Sequence, residues 1–139
     1  MASIQKFEEI EAWQKGRELT RRIYLLTSQG GFARDFTLKD QIKRSAISIT
    51  SNIAEGFERG GNREFIQFLS TAKGSASELK SQLYVALDAE YLTKEEFDQL
   101  HQQTQSILSL LGGFIKYLQQ SELRGRKFKN ESQSKDPEP

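Results

Sequence analysis

Residues 1–136 contain no proline, and the chain's two prolines, Pro137 and Pro139, stand at its end. Proline removes a backbone donor and clashes with the turn before it, so a run without it is free to form long uninterrupted helix. Within that run apolar residues recur at helical spacing in four segments, and none shows the apolar–polar alternation of a half-buried strand. The first expected helix covers about 11–28 and carries Trp13, Leu19, Ile23 and Leu26 on one stripe. The second covers about 38–59, with Leu38, Ile42, Ile49, Ile53 and Phe57. The third covers about 63–90, with Phe65, Phe68, Leu69, Ala72, Ala76, Leu79, Leu83 and Leu87. The fourth starts at Thr93, follows a seam from Phe97 through Ile107 and Leu111 to Leu118, and is expected to fade near Ser121.

The punctuation agrees with this division. Gly30-Gly31 and Gly60-Gly61 end the first two helices, since glycine accepts the left-handed conformation that follows a helix. Asn62 is the expected N-cap of the third, and Thr37 with Asp40 resembles a capping box at the head of the second. Thr93-Lys94-Glu95-Glu96 has the full capping-box pattern. Short connections make successive helices antiparallel neighbours, so the expected fold is all-α: an up-down-up-down four-helix bundle over residues 1–121. Residues 122–139 are charged and end in Asp-Pro-Glu-Pro, and read as a disordered tail.

Composition narrows the chemistry. The 139 residues include no Cys and one His, which excludes a disulfide scaffold, a thiolate metal site, a three-His zinc site and the paired Glu-x-x-His motifs of di-iron bundles. Asp98 and His101 have the spacing of half a metal site, without a second His to complete it. Gly60-Gly61 and Gly112-Gly113 follow no strand and so lack the context of a phosphate loop. Glu55 and Glu78 form a possible carboxylate pair with no nucleophile beside it. These residues point to no enzyme activity, cofactor, metal or small-molecule substrate. The N-terminus lacks the basic and apolar regions of a signal peptide, and no stretch approaches 18 apolar residues, so a cytoplasmic protein without a membrane partner is expected.

Two further surfaces are legible. Ile47 and Ala54 lie off the main apolar face of the second helix, Ile66 and Tyr84 off that of the third, and Leu110 and Tyr117 off that of the fourth. Together they imply a second packing surface and hence a homo-oligomer. On the second helix Ser45, Ser48, Asn52, Glu55 and Arg59 fall within about 80° of one another. The third helix offers the small polar run Gly74-Ser75-Ala76-Ser77-Glu78. Ser48, Asn52, Glu55 and Arg59 with Ser75 and Glu78 are expected to form a structural hydrogen-bonded seam against another helix or another subunit, the alternative being a solvated face.

Several motifs carry a family resemblance. Ser48-Ile49-Thr50-Ser51-Asn52-Ile53-Ala54-Glu55-Gly56-Phe57 resembles the "SI-x-x-NIAEG-F" signature of the four-helix-bundle proteins encoded in intervening sequences of bacterial 23S rRNA genes. Phe7 to Lys15 resembles the family's "F-x-x-L-x-x-WQKA" segment, Gln41 to Ala46 its "Q-[IL]-[KR]-R-[AS]-A" segment, and Glu64 to Leu79 its "EF-x-x-FL…A-x-GS-x-x-EL" pattern. Gly16 stands where the family usually has Ala, and Thr50 where it often has Pro. The resemblance implies a helical bundle that assembles as a ring-like homopentamer, with no established enzyme activity. Through distant relatives, the accessory proteins of diversity-generating retroelements, it implies by analogy a nucleic-acid role.

Charge is sorted along the chain although the formal total is only +1. Residues 15–44 hold eight basic and three acidic side chains, residues 88–98 five acids and Lys94, and residues 124–129 read Arg-Gly-Arg-Lys-Phe-Lys. Arg17 and Arg21 share one side of the first helix with Trp13 and Tyr24 nearby, a mixture suited to phosphate contact and base stacking. The alternative is that Arg21 and Arg22 pair with Glu18 and solvate the surface. Repetition in a ring would turn a modest patch into a positive track. The expected partners are therefore further copies of the chain and RNA or DNA. The candidate nucleic-acid contacts are Arg17, Arg21, Arg22, Lys43 and Arg44, with Arg124, Arg126, Lys127 and Lys129 secondary. A protein-interaction scaffold that binds no nucleic acid is the competing expectation.

Overall fold

The structure, a computed structural model, describes residues 3–135, with side chains described through residue 123. A 3-10 turn at Phe7–Glu9 leads into α1 (Glu11–Thr27), a short α2 (Gly30–Arg34), α3 (Phe36–Glu58), α4 (Asn62–Asp88) and α5 (Lys94–Lys135). Among the described residues there is no strand. α1 packs on α3 and α5, and α4 packs on the same two helices, so the four long helices form a closed helical bundle.

Pairs between helices fix the direction of each. Ser45 meets Glu78 and Ser48 meets Ser75, so residue numbers rise on α3 as they fall on α4. The same reversal relates α1 to α3, where Thr20 reaches Ala46 and Tyr24 lies under Lys43. It relates α4 to α5, where Lys80 meets Gln105 and Tyr84 meets His101. Leu19, Ile23, Ile42, Ile49, Leu79, Leu83, Leu100 and Ile107 fill the centre and are fully buried. Glycine allows two close approaches. A Cβ on Gly16 of α1 would lie 2.9 Å from Thr50 Cγ2 of α3, and one on Gly56 of α3 would lie 2.5 Å from Phe68 Cβ of α4.

The helix ends differ in places from the expectations drawn from sequence. Gly30 does adopt a left-handed φ of 55°, but the chain then turns directly into α2 instead of a loop. α2 spans five residues, too few to show a period, and its Phe32 is buried at one end of the bundle against the Tyr91 ring at 5.2 Å. The cap of α3 is Asp35, whose Oδ1 accepts from the Leu38 N–H at 3.0 Å; Thr37 lies inside the helix. Asn62 is the first residue of α4, and Gly61 precedes it without a side-chain cap. The Thr93 capping box forms in both directions: Glu96 N–H donates to Thr93 Oγ1 at 3.1 Å and Thr93 N–H to Glu96 Oε1 at 2.9 Å.

α5 does not end near Ser121. It is helical to Lys135, where the sequence predicts a disordered tail from residue 122; residues 136–139 lie outside the described residues. The added stretch is rich in Arg, Lys, Glu, Gln and Ser, holds one glycine at position 125, and meets no proline before Pro137. Such residues sustain a helix without any apolar stripe to signal it.

Candidate nucleic-acid interface

Ala12, Gly16, Leu19, Ile23 and Thr27 turn inward and so fix how α1 is rotated. That rotation places Trp13, Arg17, Thr20, Arg21 and Tyr24 along the side of α1 that borders α3. With Gln14 and Glu18 they line an open groove of about 620 Å³. Thr20 marks its floor: Oγ1 donates to Gly16 O at 2.8 Å on its own helix and to Ala46 O at 3.4 Å on α3.

Each end of the groove pairs an aromatic ring with a cation. The Arg17 guanidinium lies 5.9 Å from the centre of the Trp13 ring, which also packs on the core and meets the Phe7 ring edge-to-face, with centres 5.2 Å apart. Lys43, from α3, holds its ammonium 4.4 Å from the centre of the exposed Tyr24 ring. Among the described residues neither Arg17 nor Lys43 has a carboxylate partner. Between them, Arg21 does: Nη2 lies 2.7 Å from Glu18 Oε1. That hydrogen bond is the main reason the Glu18 carboxyl sits below its ordinary range, with lesser attraction from Arg21, Arg22 and Arg17 opposing a small cost of burial. The charge of Arg21 is therefore partly spent within the groove.

The other candidate cations lie elsewhere. Arg22 turns toward α5, where Nη1 is 3.5 Å from Gln103 Oε1 in a groove shared with Lys15, Gln99, Gln102 and Ser106. Arg44 is exposed and 3.5 Å from Asp40, about a quarter-turn from Lys43 on α3 and on the side toward α4. The side chains of Arg124, Arg126, Lys127 and Lys129 lie outside the described residues. The structure thus brings Arg17, Arg21 and Lys43 together and separates Arg22 and Arg44 from them.

The polar strip of α3 faces α4 of the same chain. Ser45 Oγ donates to Glu78 Oε1 and Ser75 Oγ to Ser48 Oγ, both at 2.8 Å. Asn52 Nδ2 donates to Ser48 O at 2.8 Å and Ser48 Oγ at 3.0 Å. Arg59 binds Glu55 at 2.9 Å and lies over the Phe68 ring at 5.2 Å. Of the second apolar set, Ile66 and Leu110 pack on the core, while Ile47, Tyr84 and Tyr117 are exposed, Tyr84 also meeting Phe97 at 4.9 Å and His101 at 5.8 Å. Among the described residues no group of three His, Cys, Asp or Glu side chains could hold a metal ion.

One link had no signal in the sequence. Asp35, besides capping α3 through Oδ1, accepts from the Tyr91 hydroxyl through Oδ2 at 2.9 Å. These residues are 56 apart in the chain and meet only because α2 and the α4–α5 turn close the same end of the bundle.

The profile of the family described as "23S rRNA-intervening sequence protein" matches residues 8–113, which contain both ring–cation pairs and the α3–α4 seam. The chain belongs to this family. It is also similar to a crystal structure from Bacteroides thetaiotaomicron, described as a protein with unknown function from the S23 ribosomal protein family. The two share 29% sequence identity with a TM-score of 0.70, over 76% of this chain and 95% of the other. No match is found among curated proteins. The matched region stops short of the end of α5, so α5 beyond residue 113 lies outside it. Among the described residues no helix is long and apolar enough to cross a membrane.

Proposed function

We propose that this family member is a non-enzymatic, oligomeric, cytoplasmic protein that binds RNA or DNA through the α1–α3 face. The observation that carries this reading is the pairing of Arg17 with Trp13 and of Lys43 with Tyr24, both rings lining one open groove, with neither cation in an ion pair with a carboxylate among the described residues. Cations supply attraction to phosphate, and aromatic faces supply stacking that tolerates any base. Exposed Ile47 and half-buried Ala54 on the outer side of α3 support association with further copies, which would multiply a modest patch around a symmetric ring.

The test is fluorescence anisotropy with labelled RNA and DNA at low ionic strength, alongside molar mass in solution with and without RNA. Binding should fall linearly on a log–log plot against salt, and Arg17→Glu with Lys43→Glu should abolish most of it. Absence of salt-dependent binding would sink the reading. A second reading, an assembly scaffold that binds proteins only, is favoured by the exposure of Phe36 at 72%. It predicts that Arg17→Glu/Arg21→Glu leaves the oligomer and its protein partners unchanged.

A further inference from the structure

Trp13 and Tyr24 occupy the same face of α1, three helical turns apart, with Arg17 and Arg21 between them. At a rise of ~1.5 Å per residue their Cα atoms are separated by about 16 Å along the helix. Fully stacked bases follow one another at ~3.4 Å along a strand, so the two rings cannot serve adjacent stacked bases; they span at most about five nucleotide steps, fewer where the strand is extended. The chemistry of the groove also discriminates between forms of nucleic acid. A duplex offers phosphates to the cations but keeps its base faces inside the stack, which leaves both rings unused. An unpaired strand offers both groups at once.

We infer that the groove takes an unpaired polynucleotide strand, with one base on Trp13, another on Tyr24, and the intervening phosphates along Arg17 and Lys43, while Glu18 holds Arg21 back between them. The inference rests on the nucleic-acid reading above and specifies its ligand. Each ring carries a cation, Arg17 at Trp13 and Lys43 at Tyr24, and Trp13 is also steadied by Phe7 and the core behind it. A base that lands on either ring finds a positive group already placed for the phosphate beside it. Tyr24 is exposed and so contributes little to the core, which makes its ring available to a ligand and its replacement harmless to folding.

Trp13 is the only tryptophan in the chain, so its emission reports directly on one of the two stacking positions. The experiment titrates the full chain at low salt with oligouridine and oligodeoxythymidine strands of two to eight nucleotides, a mixed-sequence duplex, and inorganic polyphosphate. Single strands should quench Trp13 emission, and affinity should rise steeply up to about five nucleotides and then slowly. Tyr24→Leu, which keeps apolar bulk but removes the π face, should weaken strand binding about tenfold, while Tyr24→Phe retains it and polyphosphate binding is unchanged by either. A duplex that binds as tightly as the strand with Trp13 emission unmoved, or equal affinities for Tyr24→Leu and Tyr24→Phe, would overturn the inference and leave the nucleic-acid reading standing. Failure of every polynucleotide to bind would remove both. The uridine and deoxythymidine arms separate RNA from DNA as the source of the strand.

Discussion

Thr50 of α3 lies so close to Gly16 of α1 that its methyl leaves no room there for a side chain. A Cβ on Gly16 would lie 2.9 Å from Thr50 Cγ2 and 3.3 Å from Ile49 Cγ2. At both positions the sequence departs from the pattern of the family it resembles, Ala being usual at the first and Pro frequent at the second. The Thr50 methyl fills the space an alanine methyl would take, so the departures compensate across one helix crossing.

Gly16→Ala alone should therefore be destabilising by about 1 kcal/mol: overpacking costs ~1–3 kcal/mol, offset by the ~1 kcal/mol preference of a helix for Ala over Gly. In a Thr50→Ser background the methyl is gone, and Gly16→Ala should become neutral or stabilising by up to about 1 kcal/mol. Urea unfolding of the four proteins in the cycle measures the coupling. A coupling indistinguishable from zero would show that the two positions do not compensate.

Gly56 is a more severe case of close approach. A Cβ there would lie 2.5 Å from Phe68 Cβ and 3.0 Å from Phe65 Cδ1. Phe68 Cβ is fixed to the backbone of α4 and cannot swing aside, so α3 and α4 would have to separate. Gly56→Ala should cost about 2–3 kcal/mol net. Gly74, exposed in α4 with open space where its Cβ would be, is the control: Gly74→Ala should stabilise by about 1 kcal/mol. Thermal melts of the two variants should move in opposite directions.

The contrast between these glycines shows what a sequence carries and what it does not. The core stripes of all four long helices were legible because burial imposes a period on residue type, and the Thr93 capping box because its chemistry is local. The polar strip of α3 was legible as a strip, but not its partner: Ser48 chooses Ser75 only once α3 and α4 are set in register. Arg22 and Arg44 looked equivalent to Arg17 and Lys43 because charge is visible in sequence and helix rotation is not. The continuation of α5 to Lys135 was hidden for the opposite reason, since its mostly charged and polar sequence carries no apolar period. Asp35 and Tyr91 are unremarkable residues until the fold joins them.

That pair gives a pH dependence with a sign on each side. The Asp35 carboxyl is lowered from its ordinary 3.8, first by the Leu38 N–H and then by the Tyr91 hydroxyl. A lowered carboxyl favours the charged form in the folded state, so its stabilisation is present above pH about 4 and is lost as pH falls through the folded value. The Tyr91 hydroxyl is raised from its ordinary 10.0, chiefly because it donates to Asp35. A raised phenol favours the protonated form, so its contribution is present below pH 10 and is lost as pH climbs through the folded value. Asp35→Asn should flatten the acid limb of a melting-temperature profile, and Tyr91→Phe the alkaline limb. Unchanged profiles would show that the link contributes nothing to folding.

Glu18 restrains the proposed interface from within. Its carboxylate holds the Arg21 guanidinium at 2.7 Å, midway between the two ring–cation pairs, and stays charged because Arg21, Arg22 and Arg17 all favour that form. Glu18→Gln removes one negative charge from the groove and releases Arg21 to meet phosphate. Affinity for a single strand should rise several-fold at low salt, and the slope of log affinity against log salt should steepen by ~0.7, the value for one further phosphate contact on a single strand. In an Arg21→Gln background the same substitution should give a smaller gain and no change in slope, since no guanidinium is left to release. Both residues are exposed, so neither change should disturb the fold. Equal effects of Glu18→Gln with and without Arg21 would mean that Glu18 acts only through net charge and that Arg21 makes no phosphate contact.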